Sequence, residues 1–215
     1  MELVTFFVVF GIVFVGELGD KTQLIVFNLA LEYKKFYKVG IGVTVGFVVL
    51  VTLGVFLGVV ITRFVPLFII SIASGIVFII IGILEAVKLK KLYLERKSDH
   101  FESVINQNHK ESDYEKSLSS KLSKFKKNPY FAGFVYIFIM ELGDKTQLLT
   151  ISLSSRYIAY PLEVWFGAFL ALVSVAWIGI LLGGIIAQKV PKFYLKIIST
   201  SIFIFVGIWI LITSF

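Results

Sequence analysis

Six apolar runs, at approximately 3–31, 39–61, 67–87, 130–153, 162–187 and 193–213, leave this chain little choice of fold. About 20 consecutive apolar residues span the hydrocarbon core of a bilayer as a helix. No water is present there, so the backbone must satisfy its own hydrogen bonds, and only helices and closed barrels do so. Period-two alternation is absent and the runs are too long for barrel strands. The expectation is an all-α polytopic membrane protein with six transmembrane helices and the lipid bilayer as its principal partner. With 58% hydrophobic residues and a mean hydropathy of +0.92, the chain has too little polar surface for a soluble domain. The first run lacks a basic leader and contains Glu17, Asp20 and Lys21, so it is expected to be retained rather than cleaved as a signal. Cysteine is absent, which removes disulfides and thiolate ligands, and the two histidines, His100 and His109, lie in a polar segment as solvated side chains.

Lysine and arginine are unevenly shared between the connections. Lys21 and Lys145 fall inside apolar runs. The first connection carries Lys34, Lys35 and Lys38, the third a dense series from Lys88 to Lys127, and the fifth Lys189 and Lys192. The alternate connections carry only Arg63 and Arg156. The positive-inside rule then places the basic connections in the cytoplasm and both termini outside. The net charge of +7 therefore reads as topology. No recognisable nucleic-acid module accompanies it, and no nucleic-acid partner is expected.

The charged stretch 91–128 divides the chain into a first three-helix unit, 1–90, and a second, 129–215. Much of the polar stretch has linker composition. Its end, EKSLSSKLSKFKK, sets Leu118, Leu122 and Phe125 on one helical face among lysines. That pattern fits a helix lying on the anionic inner membrane surface and equally a solubilising linker. The octet ELGDKTQL occurs unchanged at 17–24 and 141–148, in the first apolar run of each unit. Three spans per unit force the two copies into opposite orientations, which gives two inverted-topology repeats with a site near the midplane where they meet. A duplicated packing motif would also repeat, but packing does not require acids and lysines at membrane depth, where they are costly.

On a continuous helix Glu17, Asp20 and Lys21 share one face, as do Glu141, Asp144 and Lys145. Gly19 and Gly143 instead permit a kink or unwinding that frees backbone carbonyls as ligands. Thr22, Gln23, Thr146 and Gln147 add neutral oxygens. Facing each other, the copies offer four carboxylates and no sulfur or imidazole, a donor set suited to Ca²⁺, Mn²⁺ or Mg²⁺. Four carboxylates and two lysines sum to minus two, which one divalent cation or two protons neutralise. Burial disfavours a charged carboxylate, so an emptied site tends to take up protons. Mutually exclusive occupancy by metal or protons is the minimal recipe for an antiporter. The lysines either pair with the acids when metal is absent and withdraw when it enters, or form permanent salt bridges that ease insertion.

Glu-x-Gly-Asp-Lys-Thr, twice, around a central loop in a small six-span chain, resembles uncharacterised protein family 0016, the transmembrane protein 165-like Mn²⁺/Ca²⁺ cation/proton antiporters. The resemblance covers essentially the whole chain. It implies that Glu17, Gly19, Asp20, Lys21 and Thr22 form the first family motif and Glu141, Gly143, Asp144, Lys145 and Thr146 the second. With no additional leading span, the chain is similar to the compact prokaryotic form, which implies a cell membrane rather than a Golgi membrane.

Other polar positions carry weaker signals. Glu85 reads as a snorkelling residue paired with Lys88 near the cytoplasmic end of its span, or as a gating or proton-relay group. Asn28 reads as an interhelical hydrogen bond or a pathway lining. Gly42, Gly46, Gly54 and Gly58, and Gly179 and Gly183, form small-residue faces for close helix packing. The sequence thus predicts a secondary transporter that exports Mn²⁺ and/or Ca²⁺ from the cytoplasm in exchange for H⁺, without a prosthetic group and not an enzyme. Its metal ligands are Glu17, Asp20, Glu141 and Asp144, supported by the glycines, lysines, threonines and glutamines of the motifs. The alternative is an uncoupled divalent-cation channel or uniporter with the same site. Intramembrane acid/base or aspartyl chemistry lacks a substrate-binding domain, and a scaffold leaves the doubled charges unexplained.

Overall fold

The computed structural model describes residues 3–18, 20–31, 33, 35–98, 128–189 and 192–212. Within helices, the side chains of Lys21, Leu24 and Ile25 and of residues 88–98 and 182–196 fall outside that description, as do Gly19, both histidines and the segment with Leu118, Leu122 and Phe125. Among the described residues all regular structure is helical, in eight elements. These are α1 (Leu3–Glu17), α2 (Lys21–Leu31), α3 (Phe36–Phe64), α4 (Leu67–Ser98), α5 (Pro129–Glu141), α6 (Lys145–Arg156), α7 (Pro161–Lys189) and α8 (Lys192–Ile212). Three stretches, Phe36–Phe64, Leu67–Val87 and Pro161–Leu181, are long and apolar enough to cross a membrane, and Leu3–Glu17, Pro129–Glu141 and Ile197–Ile212 are shorter apolar helices.

The runs at 3–31 and 130–153 are each split into two helices, α1 with α2 and α5 with α6. The single-face arrangement of the octet charges on a continuous helix is therefore replaced by the unwound arrangement. Asn128 starts α5 by accepting the Tyr130 N–H, with Pro129 in the first turn, where its missing N–H costs nothing. Helix α4 continues through Ser98, past the apolar run that ends at Val87. The sequence there, LKKLYLERK, is rich in good helix formers, so a change from apolar to charged composition does not end the helix.

Helix α3 packs along both α5 and α6, α7 packs along both α1 and α2, α4 packs on α8, and α3 meets α7. In lipid the tails are as apolar as leucine, so close backbone approach and interhelical hydrogen bonds hold helices together. Both appear here. A Cβ on Gly58 would lie 2.7 Å from the Ile151 carbonyl oxygen, and one on Gly179 would lie 3.0 Å from that of Gln23. Gly42 and Gly46 take α5 against the same face of α3, and Gly54 takes Thr150 of α6. The indole N–H groups of Trp165 and Trp177 on α7 donate to Thr52 and Thr44 on α3 at 2.9 and 3.2 Å. Helix α6 is the least apolar element, yet it is buried. Its Ser154 donates to the Val55 carbonyl and its Ser155 to the Gly58 carbonyl, each at 3.0 Å. Outward faces carry Phe56, Phe64, Ile80 and Phe205, large apolar side chains exposed as lipid-facing residues are.

Candidate functional site

The two octets share a pattern of backbone hydrogen bonds. In the first, the Leu18 N–H donates to the Phe14 carbonyl, Asp20 N–H to Glu17, and Gln23 N–H to Asp20. In the second, Leu142 donates to Phe138, Asp144 to Glu141, and Gln147 to Asp144. Each glutamate thus ends one helix and each aspartate precedes the next. Gly143 sits at φ +81°, in the left-handed region where side chains other than glycine's are strained. Its counterpart Gly19 lies outside the described residues.

Each octet completes itself with atoms of the other. The Thr146 hydroxyl donates to Glu17 Oε1 at 2.7 Å, and the Thr22 hydroxyl donates to Glu141 Oε1 at 2.7 Å. Lys145 of the second octet crosses to the first. Its Nζ lies 2.8 Å from Asp20 Oδ2, 2.9 Å from the Gly16 carbonyl oxygen and 3.6 Å from Glu17 Oε1. The ammonium is caged by two carboxylates and a main-chain oxygen at the C-terminal end of α1, where helix carbonyls are unpaired and the dipole favours positive charge. With Lys145 only 13% and Glu17 only 4% exposed at the side chain, this pair is shielded from the screening that weakens surface bridges. Ser199 of α8 also donates to the Gly16 carbonyl, at 3.5 Å.

The acids are not equivalent. Glu17 and Glu141 are buried, at 3% and 2% exposure, Asp20 is partly buried, and Asp144 is exposed. Glu141 Oε2 is buried without a hydrogen-bond partner. A cavity of about 10 Å³ adjoins it, lined by Glu17, Thr22, Gln23, Val26, Phe47 and Glu141 together with α7. That is room for about one water-sized body. Among the described residues no three of His, Asp and Glu stand together as a metal cage. Lys145 occupies the space between Glu17 and Asp20. The donors are nonetheless hard oxygens throughout, which is chemistry for a divalent cation as substrate.

Thr146 is buried and Gln147 partly so; Gln23 is buried at the cavity, and Lys21's side chain lies outside the described residues. Glu85 is buried, at 8% exposure, and the side chain of Lys88, its expected ion-pair partner, lies outside the described residues. The place of Glu85 near the end of an apolar run hid its burial, because α4 continues beyond that run. Asn28 is exposed on α2. No sequence signal marks the serines of α6 that bond across to α3.

The model of a family described as divalent cation/proton antiporter GDT1 matches residues 5–91 and 129–215. This chain belongs to the divalent cation/proton antiporter GDT1 family. It is 30% identical over 194 residues to the GDT1-like protein sll0615 of Synechocystis sp., covering 88% of this chain and 87% of that protein. No solved structure matches. Family membership and the three long apolar helices make it an integral membrane protein of cation transport rather than an enzyme. The two matched segments each contain one octet, at 17–24 and 141–148, and leave out 92–128 between them.

Proposed function

We propose that this member of the GDT1 family exports Mn²⁺ and/or Ca²⁺ from the cytoplasm in exchange for protons, through one site shared by both ELGDKT motifs. The observation that carries the reading is the reciprocal pair of hydrogen bonds, Thr146 to Glu17 and Thr22 to Glu141. Each motif is chemically incomplete without the other. The substrate cation binds between Glu17, Asp20, Glu141 and Asp144, with the unwound carbonyls and the threonine hydroxyls as neutral donors. Lys145 holds part of that site while metal is absent, and metal entry displaces its ammonium. The two carboxylates and the carbonyl oxygen around the ammonium support this reading.

The framework is six spans in two inverted repeats. Helices α1 and α2 form the first span, α5 and α6 the fourth. Contact of α3 with α5 and α6 matches contact of α7 with α1 and α2, as a two-fold relation between repeats requires. Both termini face outside, and the loop 91–128 faces the cytoplasm of a prokaryotic cell.

The test is transport by purified protein in liposomes, with a metal-sensitive dye inside and an imposed pH gradient. Asp20→Asn and Asp144→Asn, which remove charge and keep shape, each abolish flux while the protein still inserts. Near-normal flux in either variant contradicts a shared site, and flux indifferent to the pH gradient favours an uncoupled channel or uniporter.

A further inference from the structure

Helix α1 ends on a carbonyl that two side chains share. Gly16 is buried in the last turn of α1, and an unbroken helix would give its carbonyl the N–H of Asp20. That N–H donates to the Glu17 carbonyl instead, at 3.1 Å. Two side chains reach the Gly16 oxygen: Lys145 Nζ lies 2.9 Å away and Ser199 Oγ 3.5 Å away. The first is an ordinary charge-assisted distance, whereas O–H···O bonds are commonest at about 2.7–2.8 Å. The ammonium therefore holds the oxygen, and the hydroxyl stands at the edge of bonding range.

Ser199 is buried, at 5% exposure, and its place is set by the packing of α8. One turn on, Phe203 closes on Gly16, where an added Cβ would lie 2.7 Å from the ring. Phe203 also meets Phe78 of α4, with ring centres 6.2 Å apart, and Ile204 fills the space beside Gly82. The hydroxyl is thus kept beside the carbonyl by the helix that carries it, independently of the ammonium. A buried carbonyl left without a donor costs more than a typical bond contributes. Removal of the Lys145 ammonium would put the Gly16 oxygen in that condition unless another donor follows.

We propose that Ser199 is a positioning residue for cation exchange: its hydroxyl takes over the Gly16 carbonyl as Lys145 leaves, and so eases the replacement of ammonium by metal. This rests on the displacement of Lys145 by metal proposed above. The neighbouring Thr200 supplies a comparison on the same helix, because its hydroxyl oxygen is also buried and has no hydrogen-bond partner among the described residues.

Calorimetric titration of Mn²⁺, and separately of Ca²⁺, into the purified full chain in detergent tests this. Ser199→Ala weakens metal binding about tenfold, the effect of a buried acceptor left unmade. Thr200→Val removes a hydroxyl without a partner and leaves affinity unchanged. Lys145→Met removes the group to be displaced and tightens binding. In that background Ser199→Ala has no further effect, because the carbonyl then has the same donors with and without metal. A merely structural Ser199 would weaken binding equally in both backgrounds, which overturns the proposal. Unchanged affinity in Ser199→Ala while Lys145→Met tightens binding also overturns it and leaves the displacement of Lys145 standing. Weaker binding by Lys145→Met overturns the displacement and this proposal with it. If Lys145→Met does not insert, the contrast between Ser199→Ala and Thr200→Val decides alone, and equal affinity in those two variants overturns the proposal.

Discussion

At the scale of residues, the octets are most informative where they differ. Asp20 is engaged by Lys145, whereas Asp144, its equivalent, is exposed. Under the proposed inverted repeat, this difference corresponds to one half closed and the other open. If the ammonium competes with the substrate cation for the same oxygens, Lys145→Met tightens Mn²⁺ or Ca²⁺ binding and slows turnover, because nothing then helps expel the metal. Titration of the purified variant checks this, and weaker binding would mean that Lys145 is a permanent structural bridge. The chemistry of the site was legible in the sequence as hard donors, paired acids and lysines repeated at membrane depth. The crossed pairing was not, because a bond from Thr146 to Glu17 spans 129 positions and leaves no local pattern.

At the scale of elements, hydropathy marks α3, most of α4 and α7 clearly, because an apolar run of about 20 residues has few other uses. It does not reveal the breaks between α1 and α2 or α5 and α6, because unwound backbone in a protein interior can remain apolar. The octet glycines left both a continuous and a broken helix open. Nor does hydropathy anticipate α6, whose serines and threonines are buried against glycines of α3 rather than exposed. Gly58 makes that contact possible. Gly58→Ala would press a methyl against the Ile151 carbonyl and the Ser154 side chain, an overpacking that costs about 1–3 kcal/mol. Gly11→Ala, with open space around it, is the matched control and is close to neutral. Thermal unfolding of both variants in detergent measures the difference.

At the scale of the whole molecule, the lysine asymmetry predicts sidedness. The natively cysteine-free chain makes this straightforward to test. Ser119→Cys, in the central loop, is shielded from an impermeant thiol reagent in intact cells and reacts after lysis. Labelling from outside would invert the topology and with it the direction of export.

In the proposed exchange, protons and metal take turns on one set of carboxylates joined across the two repeats. Metal binds the deprotonated site, so binding releases protons, and apparent metal affinity falls as pH falls. The most direct measurement is calorimetric titration of Mn²⁺ or Ca²⁺ into the purified protein in buffers of different ionisation enthalpy. The slope of observed heat against that enthalpy counts the protons released. The slope is expected to be non-zero, approaching two protons per ion if the site passes from two protons to one divalent cation. A slope of zero across the pH range in which transport runs would contradict it.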